Sequence, residues 1–248
     1  MDETVITLAQ LVREDANVIE AVIGAEGPTS RLRALILDYG DVLCHRPGPS
    51  RSERMADVLG LDSETFAFRY HKERGPYDRG ELSPADYWSR VQANGAVPDE
   101  DALGKLRLWD VEMWSEINHD MTEWLGRVHA AGFKTALLSN MHPDMAAHAR
   151  RTFEWLQHLD CLILSCEIHL IKPDRKIYQL CLERLGLRPF QALFIDDREV
   201  NTSAAAEVGL MTLRFEAVEL LRRDLARLGF PILPVRGEQP QSTSGAPT

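Results

Sequence analysis

The chain has 248 residues, 44% hydrophobic and 27% charged, with a formal net charge of -10 at pH 7, which is enough mass for a full core and an ordinary globular composition. The acidic balance argues against nucleic acid or an anionic membrane surface as main partner, because a phosphate backbone is gripped by clustered cations; a small phosphate ligand stays open, since one metal ion inverts a local field. Cys44, Cys161, Cys166 and Cys181 form neither a CxxC pair nor a finger spacing and read as reduced, buried thiols of a cytoplasmic protein, while no apolar run approaches the ~20 residues of a membrane span and Asp2 and Glu3 stand where a signal peptide carries positive charge.

From residue 1 to 30, Leu8, Leu11 and Val12, then Val18, Ile19, Val22 and Ile23, give the spacing of one or two short amphipathic helices, ended by Gly24, Gly27 and Pro28. The run Ala34 to Leu37 then reads as a buried strand that delivers Asp38 to its C-terminal edge. Between 46 and 118 the hydrophobics Met55, Val58, Leu59, Phe66, Phe68, Tyr70, Tyr87, Trp88, Val91, Leu106, Leu108, Trp109, Met113 and Trp114 fall at helical spacings with no strand pattern. This predicts an all-helical insert after the first strand, placed over that edge as a lid. A helix with Trp124, Leu125, Val128 and His129 on one side, stopped by Gly132, leads to a second strand at Thr135 to Leu138 ending at Ser139-Asn140.

A third strand is expected at Cys161 to Leu164 and a helix from Lys176 to Leu185 closed by Gly186. A fourth strand, Ala192 to Ile195, ends at Asp196-Asp197; a helix from Glu199 to Val208, stopped by Gly209, feeds a fifth at Met211 to Phe215. Residues 234–248, rich in Pro, Gly, Ser, Thr and Gln, are expected to be disordered. The fold expected is α/β: a Rossmann-like parallel sheet core at 31–45 and 119–233, with a small all-helical cap at 46–118 inserted after the first strand.

Asp38, Ser139 with Asn140, Lys172 and the Asp196-Asp197 pair thus all arrive at one sheet edge, where open α/β sheets bind ligands. Each alone has a bland reading: an aspartate after a strand caps helices, and Lys172-Pro173-Asp174 starts one. Caps do not have to fall on successive strand ends. Three carboxylates in a half-dry cleft repel unless a cation sits among them, and oxygen-only ligands with room for water suit Mg²⁺. Ser139 and Lys172 then offer a hydroxyl and a point charge to a phosphoryl group, leaving Asp38 as a nucleophile able to form an acyl phosphate.

In order, Asp38-x-Gly40-Asp41-Val42-Leu43, Leu137-Leu138-Ser139-Asn140, Lys172-Pro173-Asp174 with Ile177-Tyr178, and Phe194-Ile195-Asp196-Asp197 with Asn201 resemble the four motifs of the haloacid dehalogenase superfamily of hydrolases. The resemblance spans about 32–215. It is nearest the helical-cap branch that includes bacterial glucose-1-phosphate phosphatase, where glycine also takes the third motif position and where a stretch similar to Tyr77-Asp78-Arg79-Gly80-Glu81-Leu82-Ser83 with Tyr87-Trp88 occurs. The resemblance implies Asp38 as nucleophile and metal ligand, the Gly40 carbonyl as second ligand, and Asp196 and Asp197 completing the Mg²⁺ shell. Ser139 and Asn140 would bind phosphate, Lys172 would balance charge and Asn201 would orient the acidic loop.

Gly40 is the departure, since most phosphatases of the superfamily carry there an aspartate that protonates the leaving oxygen. Asp41 is the candidate substitute, against a role in capping the loop or touching the cap; water, a cap residue or the substrate are other proton carriers. His45, His71 and His142 read as ordinary polar contacts, the cap aromatics as core, and Arg79 as either a substrate contact or a solvated charge. The expectation is a Mg²⁺-dependent hydrolase of small phosphate esters, sugar phosphates among them, monomeric or homodimeric. The alternatives are a metal-independent 2-haloacid dehalogenase and a non-catalytic binding module.

Overall fold

The computed structural model describes residues 31–92 and 96–235; the helices expected in 1–30 and nearly all of the tail expected at 234–248 lie outside them. The apolar runs pair as five parallel strands in the order β3-β2-β1-β4-β5: β1 Ala34–Leu37, β2 Lys134–Ser139, β3 Cys161–Leu164, β4 Ala192–Asp196 and β5 Met211–Arg214. Such continuous apolar strands suit a sheet covered on both faces. Alternate residues of each strand feed opposite faces. Leu35, Leu37, Leu137, Leu193, Ile195 and Leu213 belong to one apolar cluster, and Ala34, Ile36, Ala136, Leu138 and Phe194 to the other.

The described residues of the insert after β1 form five helices: α1 Pro49–Leu59, α2 Ser63–Lys72, α3 Arg74–Asp78, α4 Pro84–Gln92 and α5 Glu100–Met113. Asp62 and Asp99 start α2 and α5 by accepting Thr65 N and Ala102 N, each at 2.8 Å, as aspartates do at the N-cap. These helices share a core of their own, with Met55, Phe66, Tyr70, Tyr77, Tyr87, Trp88, Val91, Leu106 and Met113 buried. Phe68, Val58 and Leu108, expected on the apolar faces, are instead 66%, 37% and 56% exposed. Their backbone positions lie outside the arc each helix turns inward, and Phe68 lies under the Lys72 ammonium.

One face of the sheet packs on α6 His119–Ala130, α7 Pro143–Thr152 and α11 Val218–Arg227 through Trp124, Leu125, Val128, Met145, Leu221 and Leu225. The other packs on α9 Arg175–Leu185 and α10 Glu199–Val208 through Ile177, Tyr178, Cys181, Leu182 and Ala205. Helix α11 lies beyond the expected elements, as does α7; α11 buries Leu221 and Leu225 on one face. Gly186 closes α9 with φ 66°, a left-handed residue where glycine carries no Cβ penalty. No helix among the described residues is long and apolar enough to cross a membrane.

Candidate active site

Because the strands are parallel, their C-terminal ends line up on one edge, and β1 lies between β2 and β4, where the strand order reverses. A crevice opens there in any such sheet. Asp38 follows β1, Ser139 and Asn140 end β2, Lys172 lies in the loop after β3 and the short helix α8 Ser165–Ile168, and Asp196-Asp197 ends β4. Asp38, Gly40, Asp41, Asn140, Lys172 and Asp197 line a cavity of about 960 Å³ that the helical insert covers.

Lys172 is the pivot. It is 2% exposed, and its ammonium sits 2.7 Å from Asp38 Oδ1 and 2.6 Å from Asp196 Oδ2. Burial pulls its pKa down, but the two carboxylates outweigh burial and hold it above the ordinary value. Asp38 Oδ1 also accepts the Tyr39 N–H at 2.7 Å. Both contacts fall on one oxygen, and among the described residues none reaches Oδ2. Asp196 is fully buried and accepts from Arg198 N at 2.9 Å and from the Asn201 side-chain amide, Nδ2, at 2.9 and 3.1 Å.

Asp38, Asp196 and Asp197 bring one oxygen each within 4.8 Å of one another. Burial pushes the Asp38 carboxyl up to about 7, the Asp196 and Asp197 charges adding to it and Lys172 opposing. Asp197 is pushed up to about 6 by burial and the charges of Asp196 and Asp41. Among the described residues, these carboxylates, Asp41 included, form ion pairs with Lys172 and the rim residue Arg46. The convergence of oxygen-only carboxylate donors fits a divalent cation such as Mg²⁺.

The remaining expected residues are placed as follows. Gly40 lines the cavity at the turn after Asp38. Asp41 adopts φ 57°, a conformation aspartate tolerates better than most residues; Arg46 Nε holds its Oδ2 at 2.7 Å, while its buried Oδ1 has no partner among the described residues. Ser139 is 1% exposed, and its hydroxyl makes only a long 3.4 Å bond to Asn140 O. The Asn140 amide clamps the Lys172 backbone, with Nδ2 donating to Lys172 O at 2.9 Å and Oδ1 accepting Lys172 N at 2.8 Å. Asp174 caps α9 by accepting Lys176 N at 2.9 Å.

The insert adds groups the sequence reading does not select. Arg74 and Asp78 of α3 pair at 3.0 Å on the cavity wall, and Arg74 Nη1 lies 2.9 Å from Asp110 of α5. Asp110 is fully buried, and it also accepts the Tyr70 hydroxyl at 2.5 Å. His142, just before α7 and 1% exposed, lines the same cavity, and among the described residues its ring makes no hydrogen bond in place of the ordinary polar contact expected. The turn after α3 is fastened to the sheet: Ser165 Oγ donates to Asp78 O and accepts Met141 N, at 2.5 and 2.8 Å. Gly80, at φ 74°, lies where a Cβ would meet Cys166 O at 2.6 Å, so no larger residue fits there. The one hint in the sequence was the Tyr77 to Ser83 stretch itself.

Burial pushes the Asp78 carboxyl from the ordinary 3.8 up to about 6, Arg74 opposing. A carboxyl raised on folding stabilises the fold in its protonated form. Its contribution is therefore complete below about pH 4 and is lost as pH rises through the folded value, a change of about 3 kcal/mol. Denaturant unfolding between pH 4 and 8 should show that decline in the native chain and a flatter profile in the Asp78→Asn variant; parallel profiles would contradict it.

A family model described as haloacid dehalogenase-like hydrolase matches residues 7–209. The chain is 29% identical over 208 residues to acyl-CoA dehydrogenase family member 10 of Mus musculus, covering 81% of this chain and 19% of that protein. It is 33% identical over 142 residues to (S)-2-haloacid dehalogenase 1 of Pseudomonas sp., covering 54% and 62%. The chain thus spans less than two thirds of the length of either relative. Its fold is similar to that of a haloacid dehalogenase-family enzyme from Bacteroides thetaiotaomicron solved with magnesium and inorganic phosphate, with a TM-score of 0.59 at 19% identity over 75% of this chain and 95% of that one.

Proposed function

Because this chain belongs to the haloacid dehalogenase-like hydrolases, we propose that it is a cytoplasmic, Mg²⁺-dependent phosphohydrolase of small phosphorylated metabolites, sugar phosphates among them, working through an aspartyl-phosphate on Asp38. The observation that carries this reading is the cluster of Asp38, Asp196 and Asp197 beside the buried Lys172. Acidic residues packed around a carboxylate nucleophile that attacks an anion make sense only with a cation present. The magnesium and phosphate held by the Bacteroides enzyme support the same chemistry.

In this reading the helical insert is the cap that selects the substrate. Lys172 fixes Asp38 through Oδ1, and Oδ2 attacks phosphorus. The bond from phosphorus to the leaving oxygen breaks, and water then hydrolyses the acyl phosphate to release inorganic phosphate and restore Asp38. Ser139 and Lys172 contact the phosphoryl oxygens, and Asn140 keeps the Lys172 loop in register with β2. A magnesium ion held by Asp38, Asp196, Asp197 and the Gly40 carbonyl would supply charge neutralisation for the phosphoryl group. Asp41 is the nearest carboxylate in sequence for the leaving-group proton, and its unpartnered Oδ1 is the atom available for it.

The direct test is phosphate release from p-nitrophenyl phosphate and a hexose phosphate. Turnover should require magnesium and fall to background in EDTA; undiminished release in EDTA would defeat the reading. A second reading, 2-haloacid dehalogenation, is favoured by the likeness to the Pseudomonas dehalogenase. It predicts halide release from 2-chloropropionate in EDTA, where the phosphatase predicts none.

Gly40 makes a further case. A Cβ added there meets only Trp114 Cζ3, at an ordinary 3.8 Å, so Gly40→Asp should fold. It restores the acid that the first motif lacks. We expect kcat/KM for an alkyl phosphate to rise about tenfold or more relative to p-nitrophenyl phosphate, whose leaving group needs no proton; equal change for both would show that protonation is not limiting.

A further inference from the structure

We infer that Trp114 and the Tyr39 hydroxyl are positioning groups through which the helical insert holds Asp38 in its attacking position. This rests on the reading of Asp38 as the nucleophile, and it gives the insert a share in the chemical step besides the selection of substrate.

Tyr39 is held at both ends. Its backbone N–H donates to Asp38 Oδ1 at 2.7 Å, and its hydroxyl donates to Trp114 O, at the C-terminal end of α5, at 2.5 Å. Between them the side chain is buried, its ring stacked on Phe153 and Trp155 with centroids 5.7 and 6.4 Å apart. A buried phenol without an acceptor is costly, so the residue that orients the nucleophile is itself fixed by a carbonyl of the insert. The linkers that carry the chain into and out of the insert also pair, His45 N donating to Glu116 O at 2.7 Å and Asn118 N to Leu43 O at 2.9 Å. A shift at the base of the insert is therefore passed to the loop after Asp38.

Trp114 belongs to both sides. It packs against the core cluster that contains Leu37 and against the insert's own cluster. Its Nε1 donates to the Tyr70 hydroxyl at 3.0 Å. That hydroxyl also accepts Arg74 Nη1 at 2.8 Å and donates to Asp110 Oδ1 at 2.5 Å, which uses its one donor and both lone pairs. Arg74 Nε ends the series on Asp78 Oδ1 at 3.0 Å. A run of hydrogen bonds thus leads from the nucleophile, through Tyr39 and Trp114, to the Asp78 wall of the same cavity, and groups joined in series act as a unit. Arg107 also ties the insert to the core, its Nε and Nη2 on Asp144 of α7 at 2.8 and 2.6 Å, but it has no place in this run.

The test is the single-turnover rate of p-nitrophenolate release from p-nitrophenyl phosphate with magnesium, followed against enzyme concentration. Tyr39→Phe, which removes only the hydroxyl and keeps the ring and the backbone N–H, should lower the saturating rate about tenfold and leave the half-saturating concentration within about twofold. Trp114→Phe, which removes Nε1 and keeps the carbonyl, should do the same. Because the two bonds lie in series, the double variant should also lose about tenfold, where independent losses would multiply to roughly a hundredfold. Arg107→Ala, which loosens the insert outside the run, should keep the native saturating rate, and so separates positioning from adhesion of the insert. If Trp114→Phe does not fold, Tyr70→Phe breaks the same bond from its other side and completes the cycle. A native rate in Tyr39→Phe, multiplied losses in the double variant, or an equal loss in Arg107→Ala would overturn the inference while leaving the phosphohydrolase reading intact. Absence of p-nitrophenolate release by the native chain would overturn both.

Discussion

Replacing Asp38 with asparagine should abolish phosphate release while the protein stays folded. The change is isosteric, the Tyr39 N–H keeps an oxygen to donate to, and Lys172 retains Asp196 at 2.6 Å. What is lost is the attacking oxygen. Amide oxygen is too weak a nucleophile to form an acyl phosphate, so kcat should fall by about 10⁴-fold or more, as when other covalent nucleophiles are removed. Single-turnover assays with hydroxylamine trapping would report the loss directly: the native chain yields a hydroxamate at residue 38 and the variant none. Substantial turnover in Asp38→Asn would mean that phosphate is displaced by water alone, and the covalent step would have to be abandoned.

Lys172→Met should have the largest effect on stability. The ammonium is buried between Asp38 and Asp196, and removing it leaves two carboxylates facing each other without compensation. Breaking a buried ion pair from one side typically costs about 3–5 kcal/mol, or roughly 10 °C in Tm for a chain of this size. Asp38, already raised to about 7 by burial, rises further once Lys172 is gone. A carboxyl raised on folding loses its stabilising protonated form as pH rises, so the deficit should be greater at pH 8 than at pH 6. Millimolar magnesium should recover part of it, because a cation bound among the carboxylates favours the folded state. Thermal unfolding of native and variant chains in EDTA and in magnesium, at both pH values, measures all of this; a variant as stable as the native chain at pH 8 in EDTA would contradict it.

The sheet was readable because its signals are local. Ala34 to Leu37 and Ala192 to Ile195 are apolar runs that stop at carboxylates, and once strands are parallel their ends can only converge. Strand ends differ from expectation by a residue or so at Lys134, Ser139, Asp196 and Arg214, the usual slack of hydrogen-bond assignment. The insert was legible as helical but not as a chemical surface. Arg74, Asp110 and His142 lie on three separate elements, and a charged residue on an amphipathic helix reads as solvated until a partner far off in sequence buries it. His142 illustrates the same point: beside a loop it looks ordinary, and only the Tyr77 ring and Asp110 carboxylate packed against it reveal a shielded imidazole. Phe68 erred in the other direction, since helical spacing names a face but not how wide the inward arc is.

The hydroxyl of Ser165 ties together chain segments 24 and 87 residues away, at Met141 and Asp78. Contacts of such sequence separation hold only while both neighbouring segments are in place. The joint therefore makes the cavity wall a shared property of insert and sheet edge: a change that loosens either one deprives the Ser165 hydroxyl of a partner on the other.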